Sequence, residues 1–113
     1  SGSYRYEGNW KEGKRDGSGQ ATYRDGTVYV GSFLKGQRSG HGQIKMKDGF
    51  KYAGEWRVGE IHGWGTATYG NGDVYIGSFL EGKRQGRGTM RYATGTVASG
   101  TWLDGTLKPK VIE

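Results

Sequence analysis

The chain has 113 residues, 32% of them hydrophobic, with one proline, no cysteine and a formal net charge of +6. The missing cysteines exclude a disulfide, a Cys-based zinc site and a thiol nucleophile, and no apolar run approaches the ~20 residues of a membrane-spanning helix. Glycine supplies 24 residues, far above the ~7% of ordinary proteins, a content that in an aperiodic chain would spell disorder.

The glycines are periodic. After a lead-in of residues 1–5, Tyr6 opens a pattern that returns at Tyr29, Tyr52 and Tyr75, each tyrosine followed by one residue and a glycine. Trp10, Phe33, Trp56, Phe79 and Trp102 keep the same 23-residue step. So do the glycine pairs that begin with Gly17/Gly19, and only Gly2 and Gly70 fall off the register. A fixed step of this size marks a repeat array. The units are 6–28, 29–51, 52–74, 75–97 and a partial 98–105, followed by a tail of 106–113. In the last unit Ala98 stands where the tyrosine should be.

The second unit shows what one repeat is. "YVGSFL" alternates, with Tyr29, Gly31 and Phe33 on one face and Val30, Ser32 and Leu34 on the other. A turn carrying Gly36 leads into "GHGQIKM", which puts Gly40, Gly42, Ile44 and Met46 on the ring face. An Asp-Gly turn closes the unit. Each repeat is therefore a β-hairpin. The chain is all-β, an antiparallel meander of tandem 23-residue hairpins in one elongated, twisted or curled sheet. Nine or so strands at ~4.8 Å predict a length of about 40 Å. Glycine in a strand packs nothing itself, but a ring lying over it restores the burial. The glycines thus make a floor that the rings fill.

These segments resemble the MORN repeat (membrane occupation and recognition nexus). Its motif runs Tyr-x-Gly-x-Trp/Phe, a glycine turn, His-Gly-x-Gly, then Asp-Gly. The resemblance covers Tyr6 to Gly105. The histidine is present only as His62, with Asp16, Ser39 and Gln85 at the equivalent positions. The resemblance implies a scaffold, a dimerisation segment, a membrane-proximal anchor or a regulatory module attached to other domains.

Catalysis finds little support in the residues. His41 and His62 sit at different repeat positions, and the aspartates at turns serve backbone geometry. No nucleophile, base and orienting group stand together, so no enzyme activity, cofactor, metal or small-molecule substrate is expected. The glycine pairs lack the strand-to-helix context of a phosphate cradle. The rings already have a structural duty, which argues against nucleic acid. A choline-binding wall repeat has a shorter period. Two surfaces remain. The hairpin tips carry Lys14, Arg15, Arg38, Lys83 and Arg84, a candidate site for anionic, phosphoinositide-type lipid. The ring face of Tyr29, Phe33, Tyr52, Trp56, Tyr75 and Phe79 is a candidate partner-binding face, and Val28, Val30, Leu34, Val74, Ile76 and Leu80 form an apolar set opposite it. The expectation is a non-enzymatic scaffold that assembles with itself or a protein partner, in the cytoplasm or at the cytoplasmic face of a membrane. The alternatives are a peripheral binder of anionic lipid and a regulatory segment of a larger enzyme.

Overall fold

The computed structural model describes residues 4–109; lead-in residues 1–3 and tail residues 110–113 lie outside them. Ten strands follow one another: β1 (Arg5–Lys11), β2 (Lys14–Thr22), β3 (Val28–Leu34), β4 (Gln37–Lys45), β5 (Lys51–Arg57), β6 (Glu60–Thr68), β7 (Val74–Leu80), β8 (Lys83–Arg91), β9 (Val97–Leu103) and β10 (Thr106–Leu107). They form a single antiparallel sheet in strict sequence order, so the meander is open and not closed into a barrel.

Two kinds of turn alternate along the sheet. The tight ones place Lys35 and Gly36, and their equivalents at 12–13, 58–59, 81–82 and 104–105, at φ between 48° and 88°. Two consecutive left-handed residues form the turn whose twist matches that of paired strands. Val58, at φ 48°, is β-branched and strained there. The looser turns contain the Asp-Gly pairs. Asp25 Oδ1 accepts from the Thr27 N–H, and Asp48 and Asn71 repeat the bond to Phe50 and Asp73. This hydrogen bond holds the Asp25 carboxyl below its ordinary pKa.

The register aligns the glycines into one row across nine strands, from Gly8 beside Gly19 through Gly31, Gly42, Gly54, Gly65, Gly77 and Gly88 to Gly100. A β-carbon added to Gly42 would fall inside the Tyr29 ring, and one added to Gly65 inside the Tyr52 ring. Tyr29, Tyr52 and Tyr75 are accordingly the largest fully buried side chains. Beyond the glycine row each hairpin is bulged, and Asn9, Ser32, Glu55 and Ser78 drop out of the ladder. Their carbonyls accept the tyrosine hydroxyls of the same units at 2.7–3.1 Å. The bulge therefore provides the anchor that holds each ring flat over the floor.

Between the tyrosines stand the rings of Phe33, Trp56, Phe79 and Trp102. Each meets the tyrosine of the preceding unit edge-on, with centroids 5.1–5.3 Å apart and planes at 82–87°. Within a unit the contact is equivalent, as for Tyr29 with Phe33. Edge-to-face pairs contribute about 0.5–1.5 kcal/mol each beyond burial. One herringbone of rings runs from Trp10 to Trp102. Trp56 and Trp102 also donate their indole N–H to the Gly42 and Gly88 carbonyls at 3.0 Å. Where Ala98 replaces the last tyrosine, Leu107 of β10 packs against the core instead.

Three expectations change. The chain extends 57 Å along its long axis, beyond the 40 Å expected from strand spacing, because twisted strands lie inclined to that axis and add their own length. Gly40 is exposed at φ 68°; it serves the bulge rather than the floor, as do Gly17, Gly63 and Gly86. Met46 lies beyond the end of β4 and is exposed, whereas Tyr23, Tyr69 and Tyr92 at the same repeat position pack against the core.

Two outcomes follow for stability. Gly42→Val should destabilise by about 1–3 kcal/mol through overpacking, whereas Ser32→Val on the opposite face should change little; denaturant melts of the two variants measure the difference. Burial also pushes the Tyr29 and Tyr52 hydroxyls up to about 12, while in the unfolded chain they ionise near ~10. Above that value the unfolded state has released protons that the folded state still holds, so stability falls with rising pH. Alkaline unfolding should therefore set in between pH ~10 and ~12, with tyrosinate absorbance and loss of β-structure rising together; tyrosinate signal from Tyr29 and Tyr52 in the intact fold would contradict it.

Candidate functional site

The basic hairpin tips divide between the two faces of the sheet. Lys14 and Lys83 point outward and are exposed, while Arg15, Arg38 and Arg84 turn onto the ring face and are half-buried. The Arg38 guanidinium lies over Tyr23, Tyr29 and Trp56, closest to Trp56 at 4.9 Å from the ring centroid. Arg84 repeats this over Tyr69, Tyr75 and Trp102, and Arg15 lies over Tyr4 and Phe33. Each arginine also donates to the turn carbonyl of the next unit, Gly36, Gly59 or Gly105, at 2.5–2.9 Å. The three arginines thus lock one repeat to the next. Alternation explains the split, since neighbours in a strand face opposite ways.

The seam between the second and third units departs from this arrangement as a set. Ile61 stands at the arginine position and Met46 at that of Tyr23 and Tyr69, so guanidinium and phenol are replaced together. The position of His62 has a structural use elsewhere in the array. Asp16 and Gln85 accept from the N–H groups of Lys35 and Asp104, the first residues of the following tight turns, at 3.1 Å. His41 lies on the outer face 3.9 Å from Glu55. Among the described residues no cluster of His, Cys, Asp or Glu could hold a metal ion.

The ring face has little to offer a partner directly. Tyr29, Phe33, Tyr52, Trp56, Tyr75 and Phe79 are 0–6% exposed, because the glycine floor lets them sink and pack on one another. The outer face is the open one. Val30, Leu34, Ile76 and Leu80 are exposed there, as are Trp64, Val97 and Leu103. Two mainly apolar depressions on this face stand out among the described residues. One of about 470 Å³ crosses β3 to β6 and is lined by Val28, Val30, Gln43, Ala53, Thr66 and Thr68, with Lys45 and Lys51 opposite each other on its two central strands. The second, about 360 Å³, crosses β7 to β9 and is lined by Val74, Ile76, Thr89, Arg91 and Val97. Lysine and arginine are the charged residues of both linings. Strand alternation pointed to Val28, Val30, Val74 and Ile76. It missed Ala53, Val97 and the basic residues Lys45, Lys51 and Arg91, although Val97 keeps the 23-residue step from Val74.

The geometry defines a class: an array of tandem β-hairpins welded by a glycine floor and an aromatic ladder. The MORN repeat profile matches four consecutive segments, residues 6–28, 29–50, 52–74 and 75–97. The chain belongs to the MORN repeat family. MORN repeats commonly mediate protein or membrane interaction and are generally non-catalytic. No curated protein matches the chain.

The structural role of the tip arginines can be measured. Arg38→Ala should destabilise by about 2 kcal/mol, from a charged hydrogen bond and a stacked guanidinium. Arg38→Lys should recover less than half of that, because an ammonium cannot stack flat on Trp56. Lys83→Ala should leave the melting curve unchanged.

Proposed function

We propose that the protein is a non-enzymatic docking module that seats an acidic, amphipathic segment of a protein partner along its outer face. The observation that carries this reading is the pair of depressions that combine valine, isoleucine and alanine with Lys45, Lys51 and Arg91 and have no lining carboxylate. Exposed apolar area of this kind marks contact sites. The net charge of +6 steers an acidic partner toward the face at long range. The buried ring ladder supplies a rigid back, so the partner orders itself on a preformed surface.

Anionic lipid bound through the hairpin tips is the less favoured reading. Lys14 and Lys83 are exposed but three repeats apart, about 29 Å at six strand spacings, and the arginines between them are engaged with rings and carbonyls.

Selection of displayed random peptides against the whole chain tests the proposal. Enriched peptides should combine Asp or Glu with Leu, Ile or Phe. Their affinity should fall at least tenfold, about 1.4 kcal/mol, on Val30→Asp or Ile76→Asp and stay unchanged on Lys14→Ser with Lys83→Ser. Equal binding by the groove variants, or loss on the lysine variants alone, would overturn it.

A further inference from the structure

The loose turn between β6 and β7 carries chemistry that the other loose turns lack. Asn71 and Gly72 are exposed there, and Gly72 sits at φ 99°, a conformation that calls for a residue without a β-carbon. The equivalent pairs are Asp25-Gly26, Asp48-Gly49 and Thr94-Gly95. Only at this turn does a carboxamide precede the glycine. Only here, too, does an acid, Asp73, follow it, where the other turns have Thr27, Phe50 and Thr96.

The two side chains clasp each other. Asn71 Oδ1 accepts from the Asp73 N–H at 3.0 Å, and Asn71 Nδ2 donates to Asp73 Oδ2 at 3.1 Å. The other carboxylate oxygen, Asp73 Oδ1, accepts from the Ala93 N–H at 2.8 Å and ties this turn to the next loose one. The Gly72 N–H is donated to the Tyr69 carbonyl at 2.9 Å.

We propose that Asn71 is a site of spontaneous deamidation, with Asp73 as the latch that sets its rate. Asparagine is a thermolabile residue, and a following glycine leaves its side chain open to the backbone. Hydroxide removes the Gly72 amide proton. The nitrogen attacks Cγ of Asn71, the Cγ–Nδ2 bond breaks, and ammonia leaves behind a cyclic imide. Water then opens either carbonyl of that ring, giving aspartate or isoaspartate at position 71. In the closed turn this attack is blocked. The Gly72 proton is engaged by Tyr69, the carboxamide is held at both ends by Asp73, and the nearby carboxylate opposes a second negative charge on the backbone. The reaction therefore proceeds from the locally opened turn.

The product undoes the latch. An aspartate at position 71 puts a carboxylate oxygen where Nδ2 now faces Asp73 Oδ2, and two like charges at that separation repel. Asp73 must turn away, and its bond to Ala93 is lost with it. Isoaspartate adds a methylene to the backbone, so the two bonds that close the turn, Tyr69 to Asp73 and Gly72 to Tyr69, cannot both form. Val74 follows Asp73 and Arg91 lies just before Ala93, and both line the second depression. The change therefore falls beside that depression and leaves the one across β3 to β6 untouched.

Incubation of the whole chain at mildly alkaline pH, followed by peptide mapping with mass spectrometry, tests this. Conversion of amide to acid is expected at Asn71 and not at Asn9, which Trp10 follows. It should run about tenfold slower in the folded chain than in guanidinium chloride, and Asp73→Ala should remove most of that difference. The variant Asn71→Asp isolates the effect of the product. It should lower the melting temperature of the parent chain but not of a chain carrying Asp73→Thr, where a hydroxyl would face the carboxylate as that of Thr27 faces Asp25. No conversion in the unfolded chain, equal rates folded and unfolded, a rate indifferent to Asp73→Ala, or equal melting shifts in the two backgrounds would overturn the proposal.

Discussion

A phenol ring resting on bare backbone organises this molecule. A tyrosine laid flat across two strands needs both residues beneath it to lack a β-carbon, which restricts those positions to glycine. Gly31 and Gly42 under Tyr29, and Gly54 and Gly65 under Tyr52, meet that requirement. The ring also needs somewhere to place its hydroxyl. The bulge meets this need by releasing a carbonyl three residues on. The bulge in turn demands a left-handed residue, filled by Gly40 and its equivalents. Ring, floor, bulge and turn thus form one causal chain, and it explains why glycine and aromatic residues keep the same step.

This arrangement lets a thin sheet fold without a second layer. A single sheet ordinarily needs a helix or another sheet over its apolar face. Here the rings turn sideways, interlock and cover one another, and the arginines roof the seam between repeats. The sheet has in effect folded its second layer into its own side chains. Its opposite face is then free to vary, and it does: Ser18, His41, Trp64 and Arg87 occupy one repeat position. In the ladder the tyrosine gives way only at Ala98, and the rings between the tyrosines alternate only between tryptophan and phenylalanine. The seam between the second and third units relaxes the roof too, with Met46 and Ile61 where the neighbouring seams use tyrosine and arginine.

The repeat step, the hairpin, the all-β class and the face of nearly every residue were legible in the sequence, because alternation and a 23-residue period are one-dimensional signals. The bulge was not, since dropping Ser32 from the ladder leaves strand parity intact and Gly40 looks like any other strand glycine. The fate of the tip arginines was also hidden. "KR" reads as a basic cluster, and only the stacking of Arg38 on Trp56 of the next unit, a contact across units, separates it from Gln37. The ring face was read as surface for a related reason. A count of apolar residues says how much can be covered, but not that herringbone packing lets rings cover each other.

Each strand in the sheet has only its sequence neighbours beside it, and no connection crosses over another. All the pairing that defines the architecture is thus between segments a few tens of residues apart. The loop-closure entropy of assembly is small at every step, and such low contact order goes with rapid folding. A unit leaving the ribosome needs only the unit before it as a template, so the array can crystallise onto its own growing end as it is made. The same linear wiring lets it come apart stepwise, fraying from a terminus while the middle holds.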